Sequence, residues 1–370
     1  MGSADYRVIS SDSHVLEPHD LWQNYASRQY AERLPRLVHE QTTDRIVCEG
    51  AAQVPVGLLA GCFRSDEQVR VEGRWEEDVP RGGYDPDARV RDMERDGILA
   101  EVVFPTVSMH FYPIDDSAFQ WELFRAYNTW VADFCKARPE RLKGIGMLNH
   151  EDVDTAVAEL RRCRELGLSG VMVPLFTAEE TPLHDRRFDP LWQAAQELQM
   201  PVNLHSNTTR RRANAWTEGT GVDRLVNRIR QIQHVILDMI VYGTFDRFPG
   251  LMLVSAENDA GWAAHMLERV DFQWRRNRNF LASAEVACRN TPSSYYHSNV
   301  RATFMRDRAA LLALDIIGPE TLMWGSDFPH HVSTWPNSHA EIDAQFEDLD
   351  ASVRDAVVYG NVKSLYGFEA

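Results

Sequence analysis

The chain has 370 residues, a formal net charge of −16 and 44% hydrophobic residues. This acidic balance argues against binding to nucleic acid or to an anionic membrane surface, because both partners attract clustered positive charge. The apolar fraction is high enough for a large buried core, so we expect a folded protein rather than a disordered one.

The five cysteines include no Cys-x-x-Cys pair, which argues against a thiolate zinc site and a disulfide framework. We expect reduced, packed thiols in a cytoplasmic protein. The sequence has no run of about 20 apolar residues that would span a membrane. Its amino terminus also lacks the apolar core of a signal peptide.

Eight short apolar runs recur along the chain, each associated with an amphipathic helical pattern. They predict strands at 6–12, 100–105, 143–148, 170–175, 201–206, 251–258, 300–304 and 321–327. Runs that are continuously apolar, rather than alternating, are typical of parallel strands covered on both faces. Helices are predicted at 85–97, 121–139, 152–167, 188–199, 225–250, 260–277 and near 351–366. This alternation favours a closed (β/α)₈ barrel, with an open doubly wound sheet as the alternative.

Residues 19–84 interrupt the alternation between the first strand and the first helix. The segment is too long for a plain connection and contains several glycines among mixed charges. We interpret it as an insertion on the first strand–helix connection of a single barrel domain spanning residues 1–370. We expect the insertion to cover the site or to pair with another subunit.

Side chains that bind metals stand at the ends of four predicted strands. Asp12 and His14 end the first strand, His205 the fifth, Glu257 the sixth and Asp327 the eighth. In a (β/α)₈ barrel these ends meet at one face, where the active site lies. Residues two apart on a strand point the same way, so Asp12 and His14 share a face. A buried carboxylate needs a partner, and a cation in the barrel mouth supplies one.

Six stretches, in this order, resemble the amidohydrolase superfamily, in the branch with aminocarboxymuconate-semialdehyde decarboxylase and γ-resorcylate decarboxylase. They are SSDSHVLEP, DPDARVRDMERDGILAEVVFP, GVMVPL, PVNLHS, FDRFPGLMLVSAENDAGW and WGSDFPH. The resemblance implies metal ligands at Asp12, where many relatives have His or Glu, and at His14, His205 and Asp327. It implies that Asp327 doubles as the acid/base and that the chain forms a homodimer or related oligomer.

Two features depart from the superfamily pattern. Glu257 stands where many relatives end the sixth strand with a His, and the fourth strand has no Lys that could be carbamylated to bridge two metals. A carboxylate is a good metal ligand but acts as an acid only if its pKa is raised. As an alternative, Glu257 holds a ligand His in place.

His330, just beyond Asp327, completes a candidate set of three carboxylates and three imidazoles. One zinc needs only about three protein ligands, so we expect one ion, with two ions as the alternative. The mixed oxygen and nitrogen donors suit manganese or iron as well as zinc. As an alternative, His330 is a wall residue of the pocket.

Further charged residues follow other strands. His110 and His150 come after the second and third strands, and we interpret them as pocket or loop residues rather than ligands. The three arginines at 210–212 follow His205 and predict a solvated loop, with a clamp for an anionic substrate as the alternative.

Three functions remain open from the sequence. The first is a metal-dependent hydrolase or non-oxidative decarboxylase acting on a small anionic, aromatic or cyclic carboxylate, with Asp327, Glu257 and His330 as catalytic candidates. In hydrolysis Asp327 takes a proton from metal-bound water, and in decarboxylation it protonates the carbon that loses CO₂. The second is a dinuclear iron or manganese oxygenase, and the third is a non-catalytic partner subunit.

Overall fold

Eight parallel strands, hydrogen-bonded in sequence order, form the centre of the fold. The computed structural model describes residues 6–206, 208–210, 221–279 and 287–369. The strands are β1 (Ile9–His14), β2 (Ala100–Phe104), β3 (Leu142–Met147), β4 (Gly170–Met172), β5 (Val202–His205), β6 (Leu253–Ala256), β7 (Val300–Phe304) and β8 (Leu322–Trp324). The predicted (β/α)₈ barrel is confirmed.

The barrel closes where β8 meets β1. Ser11 Oγ donates to the carbonyl oxygen of Trp324 at 2.8 Å, and the Asp327 N–H donates to the carbonyl oxygen of Asp12 at 2.9 Å. A Cβ atom at Gly325 would lie 2.7 Å from Asp12 Cβ. Glycine at this position therefore allows the last strand to approach the first closely enough to seal the barrel.

Helices alternate with the barrel strands. Those of eight or more residues are Pro86–Asp96, Ser117–Lys136, Val153–Glu165, Asp189–Glu197, Gly221–Val241, Trp262–Asn277, Pro292–Asn299 and Ser338–Gln345. Shorter α-helical segments are Leu21–Tyr25, Val56–Leu59, Trp75–Asp78, Thr244–Arg247, Arg308–Leu312, Leu314–Ile317, Ala351–Asp355 and Asn361–Tyr366, the last two joined by a π-helical segment at Ala356–Gly360. Within the described residues, no helix combines the length and apolarity that a membrane crossing requires.

Local capping chemistry explains where the helices begin and end. The Asp85 carboxylate accepts hydrogen bonds from the backbone of Asp87 and Ala88, and Gly97 ends the same helix at φ 74°.

The prediction of a single helix over 225–250 is wrong in one respect. Its first part ends at Val241, and Gly243 at φ 69° starts a separate short turn of helix.

Residues 19–84 contain a small antiparallel sheet made of Arg36–His39, Asp44–Val47 and Val54–Pro55. The segment also touches the loop after β8. The Cys62 N–H donates to the carbonyl oxygen of Pro329 at 3.2 Å, and a side chain at Gly61 would overlap His331. The interpretation of this segment as an insertion that covers the site stays a prediction.

A buried ion pair ties the first long helix to the first two strands. Arg89 Nε lies 2.5 Å from Glu101 Oε2, and the two side chains are 0% and 3% exposed. Arg89 Nη1 also donates to the carbonyl oxygen of His14 at 2.8 Å, and Ser13 Oγ donates to Glu101 at 3.3 Å. The pair therefore supports the end of β1, where two predicted metal ligands lie.

Neutralising Glu101 tests how much this buried ion pair contributes to the free energy of unfolding. Glu101→Gln leaves the Arg89 charge buried without its carboxylate, so we expect the free energy of unfolding to fall by about 3–5 kcal/mol. The matched control is Glu341→Gln, which breaks the exposed Arg306–Glu341 pair (2.8 Å) and should cost less than about 1 kcal/mol. Urea denaturation measures both, and equal losses would contradict the interpretation.

Candidate metal centre and active site

Four side chains from the ends of three strands meet in the barrel mouth. Asp12 and His14 lie in β1, His205 ends β5 and Asp327 follows β8. His14 Nε2 lies 3.5 Å from Asp12 Oδ1 and 3.3 Å from Asp327 Oδ1, and His205 Nε2 lies 3.8 Å from Asp12 Oδ1. All four side chains are at most 5% exposed. The barrel thus brings together the four ligands that the resemblance implies.

Each of the four side chains in this cluster has one atom that lacks the partner a buried polar atom normally has. Among the described residues, Asp12 Oδ1, His14 Nε2, His205 Nε2 and Asp327 Oδ2 are buried without a hydrogen-bond partner. Leaving such atoms unsatisfied is costly. A divalent cation satisfies carboxylate oxygens and imidazole nitrogens together, so the donor set fits a metal ion.

The far sides of the two imidazoles are held by backbone carbonyl groups. His14 Nδ1 lies 2.8 Å from the carbonyl oxygen of Pro105, and His205 Nδ1 lies 3.0 Å from that of Ser206. Because a carbonyl oxygen only accepts, each Nδ1 carries the hydrogen. In the neutral ring the Nε2 lone pair then points into the cluster, which is the usual orientation of a metal-binding histidine.

Glu257 lies beside this cluster on its open side. Its Oε2 is 3.5 Å from His205 Nε2 and accepts a hydrogen bond from Ser206 Oγ at 3.1 Å. The side chain is 32% exposed, in contrast to the fully buried His205. This position is compatible with both predicted roles, as a ligand and as a residue that holds His205.

Two residues of the site have backbone conformations that are uncommon outside glycine. Glu257 and Asp327 both have φ 54°, which costs on the order of 1–3 kcal/mol each. Thr303 in β7 helps to hold one of them, since its Oγ1 accepts from the Glu257 N–H at 2.9 Å and donates to Asp12 Oδ2 at 3.0 Å. Thr303 therefore joins two candidate site residues from different strands.

His330 contacts Asp327 through the same carboxylate oxygen that lies near His14. Its Nδ1 lies 2.8 Å from Asp327 Oδ1, its Nε2 lies 3.2 Å from Thr106 Oγ1, and its ring packs on His14 with centroids 4.1 Å apart. His14, Asp327 and His330 form a second group with metal-binding spacing beside the first. All six residues predicted for the site are thus adjacent in space.

The amidohydrolase profile matches residues 15–368, nearly the whole chain. The chain belongs to the amidohydrolase family. It is 26% identical over 240 residues to γ-resorcylate decarboxylase of Rhodococcus jostii, covering 58% of this chain and 69% of that protein. It is 24% identical over 275 residues to 2-amino-3-carboxymuconate-6-semialdehyde decarboxylase of Dictyostelium discoideum, covering 71% of each. The resemblance drawn from the sequence motifs is confirmed.

One similar solved structure carries a metal. It is 5-carboxyvanillate decarboxylase of Novosphingobium aromaticivorans, with bound manganese and 3-methoxy-4-hydroxy-5-nitrobenzoic acid. It superposes with a TM-score of 0.70 at 18% identity, covering 98% of this chain and 97% of that one. The likeness confirms the barrel fold. The donor cluster of this amidohydrolase, together with that manganese, supports a divalent metal as cofactor.

The charges of the amidohydrolase site shift its pKa values in opposite directions. Burial works against the charged form of Asp12, but the imidazoles of His14 and His205 outweigh it and hold the Asp12 pKa below its usual range. Burial would lower the pKa of His205, but Asp12 and Glu257 raise it to about 9. Burial and the Glu257 charge raise the pKa of Asp327 well above its usual range. The negative field that attracts a proton here also attracts a cation.

A cavity of about 200 Å³ opens beside the cluster. Its lining includes Asp12, Glu257, Asp259, Thr303, Phe304, Met305, Gly325, Asp327 and Val332. A larger cavity of about 510 Å³ lies at the opposite end of the barrel, where Ser169, Pro201 and Met252 precede their strands. The smaller cavity is the candidate substrate site, because barrel enzymes place their chemistry at the carboxyl ends of the strands.

Arg210 has a structural role that the sequence did not indicate. It is 5% exposed and makes two 3.0 Å contacts with the Glu151 carboxylate. It also donates at 2.6 Å to the carbonyl oxygens of Tyr112 and Ile114. The prediction of a solvated loop is therefore wrong for Arg210, and the arginines at 211 and 212 lie outside the described residues.

The two histidines after β2 and β3 lie outside the six-residue cluster, as predicted. His110 is exposed, whereas His150 is fully buried and packs edge-on against Phe188 at 4.9 Å. Within the described part of the chain, neither ring nitrogen of His150 has a hydrogen-bond partner. Burial lowers the pKa of His150 to about 4.

Burial of the His150 imidazole should make the folded protein less stable in acid. The unfolded chain binds a proton at His150 below about pH 6.5, whereas the folded chain binds it only near pH 4. Stability is therefore intact above pH 6.5 and is lost as the pH falls, by about 2–3 kcal/mol at pH 4.5. His150→Phe should remove this part of the loss between pH 7 and 4.5, measured by urea denaturation. His265→Gln, at an exposed helical position, should leave the loss unchanged. A pH dependence identical in the wild type and His150→Phe would refute the assignment.

Proposed function

We propose that this amidohydrolase is a non-oxidative decarboxylase that uses a divalent metal to act on a small aromatic or cyclic carboxylate. The observation that carries the proposal is the buried cluster of Asp12, His14, His205 and Asp327, in which each side chain has one atom without a hydrogen-bond partner among the described residues. The relatives named above are decarboxylases of carboxylated aromatic or unsaturated acids by their names. Their names favour carbon dioxide release over the oxygenase alternative.

We propose one manganese ion as the cofactor, held by Asp12, His14, His205 and Asp327. Two carboxylates and two imidazoles form a mixed donor set that suits manganese at least as well as zinc, and a similar solved structure holds manganese. When bound, such a cation would hold the substrate carboxylate and a neighbouring hydroxyl group and stabilise negative charge there.

Asp327 is the proposed proton donor. Burial and Glu257 raise the pKa of its carboxyl group, so that the group holds a proton more firmly than an ordinary aspartate, although a bound cation acts in the opposite direction. When the bond from the ring carbon to the carboxylate breaks, CO₂ leaves and the electron pair stays on the carbon. The proton of Asp327 forms the new C–H bond with that pair.

His330 and Glu257 are proposed to assist on either side. His330 Nδ1, at 2.8 Å from Asp327 Oδ1, orients the carboxyl group. Burial lowers the pKa of His330, which favours its neutral form. Glu257 lines the cavity and accepts from Ser206 Oγ, so it can accept a hydrogen bond from a substrate hydroxyl group.

Replacing the proposed proton donor tests the reaction directly. Asp327→Asn should reduce CO₂ release from ortho-hydroxylated benzoates by about 10²–10⁴-fold, the usual contribution of a general acid. Chromatography of the phenolic product with the manganese-loaded enzyme measures this loss. Circular dichroism shows whether the variant is folded. Unchanged turnover in a folded Asp327→Asn protein would remove Asp327 from the mechanism.

The manganese content of two variants tests whether the site holds one ion or two. If Glu257 lies outside the coordination of a single ion, Glu257→Gln should keep the manganese content of the wild type while turnover falls. His205→Ala, which removes a proposed ligand, is the positive control and should lower the content. Elemental analysis of both variants gives the answer, and loss of one of two ions in Glu257→Gln would indicate a dinuclear centre.

Hydrolysis is the second candidate, because the half-buried Glu257 carboxylate near His205 is also placed to take a proton from water. A manganese-loaded enzyme that cleaves esters, lactones or amides but releases no CO₂ from any carboxylate would favour it. The same residues would then act on metal-activated water.

We further propose that residues 19–84 cover the site of a single barrel domain, since Cys62 contacts Pro329 near Asp327. The proposed setting is a cytoplasmic homodimer. The five cysteines, all buried and free, are compatible with a reducing compartment.

A further inference from the structure

The loop that follows β2 touches two imidazoles of the site. The carbonyl oxygen of Pro105 accepts from His14 Nδ1 at 2.8 Å, and Thr106 Oγ1 lies 3.2 Å from His330 Nε2. The positions of both rings therefore depend on where this short loop lies. A shift of a few tenths of an ångström in the loop would change the direction of the His14 lone pair.

One buried carboxylate holds the loop through its backbone. Glu17 Oε2 accepts from the N–H groups of Thr106 (3.2 Å) and Val107 (2.9 Å), and Oε1 accepts from the N–H of Ser108 (2.8 Å). Glu17 is fully buried. Hydrogen bonds to a charged acceptor are stronger than those between neutral groups. Without this acceptor, three consecutive backbone N–H groups would lose their partner in a buried region.

Glu17 lies three residues after His14, so ligand and anchor belong to the same short segment. The segment is also fixed by the Val15 N–H, which donates to the carbonyl oxygen of Phe104 at 2.9 Å. The contacts close a ring: from His14 along the chain to Glu17, across to the loop, and from Pro105 back to His14. Such a ring fixes the imidazole more tightly than a single hydrogen bond does.

We infer that Glu17 is a positioning residue for the metal centre, which acts on His14 through Pro105 and on His330 through Thr106. The inference rests on the proposed metal site. Among the contacts found in the described residues, those of Glu17 go to the loop backbone, so its effect on the metal is indirect. Residues that orient a histidine ligand typically contribute about 10- to 100-fold to metal affinity.

The test measures manganese affinity in the absence of substrate. Glu17→Gln keeps the shape but turns an amide NH₂ toward backbone N–H groups, which should displace the loop. We expect its manganese dissociation constant to rise by about 10- to 100-fold, measured from the free-ion electron paramagnetic resonance signal. We also expect added manganese to raise its melting temperature less than that of the wild type.

The matched control is Asp44→Asn, which lies in the small antiparallel sheet. Asp44 is also a buried carboxylate, and it accepts from the Trp75 N–H at 2.8 Å. This variant should melt at a lower temperature but bind manganese within about twofold of the wild type. It therefore separates general destabilisation from a specific effect on the metal centre.

The outcomes are distinct. An affinity of folded Glu17→Gln within about twofold of the wild type would overturn the inference. If that variant does not fold, Glu17→Asp replaces it, because it keeps the charge but is one methylene too short to reach all three donors. The manganese affinity of Glu17→Asp should also be weaker than that of the wild type, and an unchanged affinity would overturn the inference. A wild type that binds manganese but releases no CO₂ would refute the proposed reaction and leave this inference standing.

Discussion

The architecture of this site follows from one electrostatic constraint: buried carboxylates and imidazoles are held close together in the mouth of the barrel. Among the described residues, Asp12, His14, His205 and Asp327 each bury one polar atom that has no hydrogen-bond partner. Carboxylates and neutral imidazoles so arranged are unfavourable together unless a positive charge lies among them. Asp12 and Glu257 raise the pKa of His205 against the effect of burial. The site therefore favours a positive charge.

The surrounding structure keeps these acceptors in place at some energetic cost. Glu257 and Asp327 adopt left-handed backbone conformations, and Gly325 allows β8 to come against Asp12. Beneath His14 the buried Arg89–Glu101 pair occupies space that apolar side chains could fill more cheaply. Strain and buried charge concentrated around one point are typical of a functional site rather than of ordinary core packing.

Several features of this protein could be predicted from its sequence because they depend on local or periodic patterns. Apolar runs alternating with amphipathic stretches predicted the barrel, and the helix predicted over 85–97 lies at Pro86–Asp96 in the structure. The candidate ligands were predictable because parallel strands of a barrel all end at the same face. Placing Asp12, His205 and Asp327 at strand ends was therefore enough to bring them together.

Only the tertiary structure decided which groups hold those ligands. Glu17 binds backbone N–H groups some 90 positions further along the chain, and Thr303 joins Asp12 to Glu257 across strands. Arg210 was expected in solvent, yet it is buried against Glu151. Such contacts depend on which distant backbone segment comes within hydrogen-bonding distance. The separation between a side chain and a distant backbone segment cannot be read from residue types and their spacing. It is set by how strands and loops pack after the barrel closes.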